Sequence, residues 1–151
     1  MLENKLEQDL KTALLAHDAQ RVSVLRGLKS VLLNVKVAEG KRDSGLEDDQ
    51  VLAIFAKEAK KRQESADLYK QGGDEKRQTA ELAEKAIIDE YLPEQLSEEE
   101  TGKLVDEAIA ATGAKEQKDM GKVIGMVRAK AGAVGADGAV IARLAKEKLG
   151  A

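Results

Sequence analysis

The chain has 151 residues, 35% of them charged, a net charge of −3 and an aromatic share of only 2%. That length suits one domain or two small ones, and so few aromatics disfavour a large β-sandwich or barrel. With no cysteine and one histidine, disulfide scaffolds, thiol catalysis and multi-histidine metal sites are excluded, and no catalytic or metal-binding constellation is predicted.

Taken in chain order, nearly every segment reads at helical period. Leu2, Leu6, Leu10, Ala13 and His17 share one face of a first helix. Asp18 is placed to cap a second, which runs to about Ala38 with Val24, Leu25, Leu28, Val31, Leu32 and Val35 as its apolar arc and Gly40 as its stop. Ser44 with Glu47 reads as a capping box for a third helix ending at Gln71 before Gly72-Gly73, with Val51, Phe55, Ala59, Ala66 and Tyr69 inside. A fourth helix to Tyr91 uses Ala80, Ala83, Ile87 and Tyr91.

Pro93, the single proline, forces the residue before it out of the helical region. Ser97 with Glu100 forms another capping box, and a fifth helix reaches Gly113 with Leu104, Val105, Ala108 and Ile109 inside. Asp119 is expected to cap a sixth, Met120 to about Ala131, and Asp137 a seventh, to Leu149. The expected fold is all-α: a four-helix N-terminal module over residues 1–92 and a three-helix C-terminal module over 93–151.

No apolar run approaches the ~20 residues that a membrane helix needs. Glu3, Glu7 and Asp9 among the first leucines are wrong for a signal peptide, so a cytoplasmic protein with no membrane partner is expected. Charge is unevenly spread. Residues 93–114 carry one basic and six acidic groups, whereas residues 115–151 carry eight and four, a local excess of +4.

Few residues carry a chemical signal. His17 ends a leucine-rich helix, where its cation suits the dipole and no nucleophile accompanies it. Arg62 falls on the apolar stripe of the third helix and calls for a carboxylate partner, with Asp89 or Glu90 the expected one. Arg26, Lys29 and Lys36 flank the arc of the second helix as a strip that either meets phosphates or is solvated. Gly132, Gly135 and Gly138 follow no strand, so no dinucleotide motif, and no cofactor, is implied.

The richest stretch is Asp119-Met120-Gly121-Lys122-Val123-Ile124-Gly125. Glycine within a helix costs about 1 kcal/mol against alanine. Gly121 and Gly125 lie on one side, where they admit either the seventh helix or a sugar-phosphate strand. Lys118 and Lys122 stand at the helix start, where amides and dipole favour anions, and Arg128 lies further along. No aromatic follows Tyr91, so any nucleic-acid contact there is with backbone and shape.

Four pieces in order, Glu58-Ala59-Lys60-Lys61-Arg62, Tyr91-Leu92-Pro93-Glu94-Gln95-Leu96, the aspartate-methionine-glycine-lysine stretch from Asp119, and Ala136-Asp137-Gly138, together resemble the YqeY family of small helical proteins. The family's C-terminal module is similar to the tail domain of the B subunit of glutamine-dependent tRNA amidotransferases. The resemblance implies an accessory module contacting tRNA, or a tRNA-handling complex, through residues 93–151, with Lys118, Lys122, Arg128, Gly121 and Gly125 as candidates. Two other roles stay open: a subunit with carbon–nitrogen ligase activity using glutamine, and a helical protein–protein adaptor. Gly135 and Ala139 stand where the family often carries arginine and lysine.

Overall fold

The computed structural model describes residues 1–132 and 135–150. Among these residues there are seven α-helices and no strand: α1 (Leu2–Leu15), α2 (Ala19–Ala38), α3 (Asp48–Gln71), α4 (Glu75–Asp89), α5 (Glu98–Thr112), α6 (Met120–Ala131) and α7 (Gly138–Lys148), with a 3-10 turn over Gln117–Asp119. Contacts group the chain into two compact units, Met1–Leu92 and Pro93–Ala151.

In the first unit three helices in succession end on a residue of positive φ. His17 (φ 56°), Gly40 (φ 67°) and Gly73 (φ 75°) close α1, α2 and α3. At each, the following amide reaches back to a carbonyl five residues earlier: Asp18 to Ala13, Lys41 to Lys36 and Asp74 to Tyr69. This is the Schellman ending, which satisfies carbonyls the helix leaves free. Asp18 and Asp74 then accept from the Arg21 and Arg77 amides at 3.0 Å and start α2 and α4. His17 holds a backbone position that glycine usually takes.

The expected Ser44 capping box does not form. Leu46 is buried, and its amide donates to Glu3 Oε1 at 2.7 Å, across from α1. Gly45, at φ 78°, closes a turn back to the Lys41 carbonyl. The start of α3 therefore shifts to Glu47, whose amide donates to Gln50 Oε1 at 3.3 Å.

Leu6, Leu10 and Ala13 of α1, Val24, Leu25, Leu28 and Leu32 of α2, Val51 and Phe55 of α3, and Ile87, Ile88 and Tyr91 around the end of α4 form one core. Phe55 and Tyr91 meet edge to face, centroids 5.4 Å apart and planes at 70°, a geometry aromatic quadrupoles favour. Ala80, expected inside, is exposed, and His17 leaves the buried face of α1.

The second unit builds its core without aromatics, from Val105 and Ala108 of α5, Val123 and Val127 of α6, and Ile141, Leu144 and Ala145 of α7. Ser97 and Glu100 form the capping box read from the sequence, at 3.1 and 2.9 Å. Gly113 (φ 67°) ends α5, and Asp137 caps α7 by accepting from the Ala139 amide at 2.8 Å. Thr101 is buried, its hydroxyl donating to the Ser97 carbonyl at 2.9 Å.

Candidate nucleic-acid interface

Helix α6 buries Val123 and Val127 and turns its other side to solvent. At 100° per residue, Gly121, Gly125 and Arg128 fall within about 60° of one another on that outer side. Both glycines are exposed, and a Cβ added at either would meet nothing within 4 Å. Packing against α7 is therefore not why glycine stands at these positions. The strip is bare backbone open to a second body.

The cations around it are unequal. Lys118 is exposed and pairs with Glu116 at 3.0 Å, a solvated contact worth little. Lys122 is exposed and makes no ion pair among the described residues. Arg128 is exposed as well, but its guanidinium lies over Gly138 at the start of α7, where a Cβ would run into it. Lys115 joins them, exposed beside the 3-10 turn; its place at the start of the basic segment 115–151 is the sequence signal that points to it.

Asp119 does not cap α6 as expected. Its backbone stays helical (φ −86°, ψ −3°), and its carboxylate accepts from the Lys115 and Glu116 amides at 3.1 and 3.2 Å. Those two bonds hold its carboxyl below the usual carboxylate range. The Met120 amide is also committed, to the Gln117 carbonyl. The α6 N-terminus thus carries a fixed negative charge and fewer free amides than an isolated helix start.

Much of the +4 excess of residues 115–151 is neutralised inside the unit. Lys130 pairs with Glu107 at 3.1 Å, Lys148 with Asp106 at 2.8 Å, and Arg143 with Glu98 and Glu147. Glu98, foremost, holds the Arg143 guanidinium above its ordinary pKa. Three of these carboxylates belong to α5, so the acidic helix and the basic segment are complementary partners. The cations left outward are those near α6 together with Lys146 of α7. Gly135 is buried, its carbonyl accepts from the Leu96 amide at 2.8 Å, and a Cβ there would strike the Ala131 carbonyl. This backbone does not admit arginine at 135.

The first unit has a groove of about 330 Å³ lined by Lys5, Asp9, Thr12, Ala13, Arg21 and Glu90 among others. Its charges are mutually engaged. Arg21 makes a two-pronged pair with Glu90 at 2.6 and 3.0 Å, which raises the guanidinium pKa and lowers that of the carboxyl. Tyr91 donates its hydroxyl to Asp9, and Lys5 bonds Asp9 at 2.8 Å while lying 4.7 Å from the Tyr91 ring centroid. Burial, then Asp9, pushes the Tyr91 phenol up.

Arg62 pairs with Glu84 at 3.1 Å and Glu81 at 3.4 Å. The expected Asp89 and Glu90 are taken by Lys85 and Arg21, because they lie too far down α4. On α2, Lys29 pairs with Glu7 at 2.5 Å and Lys36 with Glu3 at 2.7 Å, leaving Arg26 outward, so the strip is mostly a set of struts to α1.

This architecture is that of a small all-helical protein that pairs many of its charges within each unit and leaves the glycine-lined face of α6 open. The chain belongs to the Yqey-like protein family (YqeY), whose model matches residues 3–149. No curated protein matches it significantly. No helix among the described residues is long and apolar enough to cross a membrane.

Proposed function

We propose that the protein is a non-catalytic accessory module that binds tRNA, or a tRNA-handling complex, through the outer face of α6. The observation that carries this reading is the exposed Gly121–Gly125 pair, which nothing within the unit requires, bordered by Lys115, Lys118, Lys122 and Arg128. Bare helix backbone lets a sugar-phosphate strand approach closely, and flanking cations neutralise it without reading bases. The resemblance of residues 93–151 to the tail domain of the tRNA amidotransferase B subunit supports the same class of ligand.

Binding is then weak and sequence-tolerant. With two or three phosphates neutralised, the log–log salt slope is about −1.5 to −3. Asp119 and the Lys118–Glu116 pair favour the lower end. The test is tRNA binding by fluorescence anisotropy from low to moderate salt. Lys118→Glu with Lys122→Glu should abolish most binding and flatten the slope at unchanged helicity, and Arg128→Ala should do less. Gly121→Ala with Gly125→Ala should weaken binding while raising stability by about 1 kcal/mol per site. Equal binding by both double variants sinks the proposal.

The alternative, a subunit of a glutamine-using carbon–nitrogen ligase, needs its chemistry from a partner, since the sequence holds no thiol for glutamine hydrolysis. Co-purification of the native protein with an amidotransferase core, in place of RNA, would favour that role.

A further inference from the structure

Helix α7 begins on Gly138, the last residue of the Ala136-Asp137-Gly138 piece. Its φ is not among the positive ones that call for glycine, so its backbone suits any residue. The first position of a helix does not favour glycine either, which belongs past the C-terminal end. What the position does need is space. The three atoms nearest an added Cβ all belong to the Arg128 guanidinium: Nη2, which it would overlap, Cζ at 3.3 Å and Nε at 3.7 Å. The cation of α6 therefore lies against the bare Cα of α7. No opposite charge holds it there. Arg128 makes no ion pair among the described residues, although Asp137 is adjacent; that carboxylate instead accepts from the Ala139 amide at 2.8 Å and caps α7. The guanidinium also stands at the positive end of the α7 dipole, which repels it.

Resting on the reading of α6 given above, we propose that Gly138 is a positioning residue for tRNA binding and acts through Arg128. Its missing side chain leaves a seat on α7 for a side chain of α6, and the seat holds the guanidinium in one place beside the Gly121–Gly125 strip. A free arginine loses rotamer entropy when it takes a phosphate. A seated one has lost much of it already, so binding costs less. The exposed planar fork can give two parallel hydrogen bonds to one phosphate, which a lysine cannot. An arriving phosphate also offsets the repulsion between the guanidinium and the α7 dipole. Arg128 lies six residues beyond Lys122, about 9 Å along α6. A strand that touches both runs along the glycines and reaches the first turn of α7.

The test is a double-mutant cycle in the full-length chain, read by tRNA anisotropy from low to moderate salt. Gly138→Ala expels the guanidinium but suits the helix, so helicity and thermal midpoint should not fall. Gly138→Ala and Arg128→Ala should each weaken binding about fivefold to tenfold at low salt and flatten the log–log slope by about 0.7 to 0.9, one phosphate contact. The double variant should bind no worse than either single one, because both remove the same contact. Arg128→Lys has no flat head to seat, so adding Gly138→Ala to it should change nothing. Without RNA, nitrogen relaxation of the Arg128 Nε–H should show an ordered group that becomes mobile in Gly138→Ala. Losses that add in the double variant mean that Gly138 acts independently of Arg128, and they overturn the proposal. So does Gly138→Ala protein that binds like the unaltered chain, or an Arg128 Nε–H equally mobile in both. Unchanged binding by Arg128→Ala overturns it too, while the reading of α6 then stands on its lysines. Only an unaltered chain that binds no tRNA at any salt removes that reading, and the role of Gly138 with it.

Discussion

The first unit packs Phe55 edge-on against Tyr91 and ties that tyrosine to Asp9, whereas the second fills its interior with Val105, Val123, Val127 and Ile141 and has no aromatic residue. Their ion pairs differ too. Lys36–Glu3 in the first is largely shielded, its side chains 19% and 20% exposed, while Lys130–Glu107 and Lys148–Asp106 in the second are more open to water. That shielding is local, since Arg21–Glu90 and Lys29–Glu7 in the first unit are as open as the pairs of the second. The first unit therefore differs by its aromatic contact and one shielded pair, and the open strip of α6 belongs to the unit that has neither.

The comparison is broken most severely at the aromatic pair. Phe55→Ala should cost about 3–5 kcal/mol. All three aromatics lie in residues 1–92, so near-ultraviolet signals report the first unit alone, while far-ultraviolet helicity reports both. In this variant the near-ultraviolet transition should move to lower denaturant ahead of the far-ultraviolet one; coincident shifts would mean that the units unfold together.

Acid should act next. Burial raises the Glu3 carboxyl, but Lys36 and the Leu46 amide outweigh it, and at Asp9 burial is outweighed by Lys5 and Tyr91; both stay below the ordinary range. Arg21 lowers Glu90. A depressed native pKa gives stability that is present above the unfolded value of about 4 and is lost as pH falls through the native value. The near-ultraviolet transition midpoint should hold from pH 7 to about 5 and drop below about 4. Rising stability on acidification would contradict the pairing.

Tyr91→Phe keeps the ring contact and removes the bond to Asp9. It should cost about 1.5–3 kcal/mol, the range for a hydrogen bond to a charged group, and weaken the acid sensitivity just described. His17→Gly comes last. It relieves a left-handed residue and should stabilise the first unit by about 1 kcal/mol or less, measured by urea unfolding.

Local chemistry made much of this legible. Asp18, Gly40, the Ser97–Glu100 box, Asp137 and the span of α6 all stand where the pattern put them, because each depends on residues within a turn or two. Asp119 departs for a local reason, its carboxylate taken by amides three and four residues away, but elsewhere a distant group intervenes. Glu3 takes the Leu46 amide from 43 residues away and displaces the Ser44 start. Asp9 reaches Tyr91 across 82 residues, which no periodicity could signal. The candidate interface was half legible: the glycine register was visible, but not whether α7 covered it. The acidic run before Gly113 and the basic run after it were also visible, and their opposite signs could have been read as mutual neutralisation.

The Tyr91–Asp9 bond also bears on the order in which the chain folds. Synthesis delivers Asp9 first, 82 residues ahead of Tyr91, which stands two residues before Pro93. Leu2 and Glu3 likewise wait for Asp48 and Leu46. A nascent chain can form α1 and α2 as a hairpin early, but the aromatic contact and its anchoring bond close only when the last residues of the unit have emerged. Contacts this far apart in sequence slow folding because the loop must close before they stabilise anything. During that interval α2 lacks its α4 neighbours, which makes the half-made first unit the stage most exposed to aggregation.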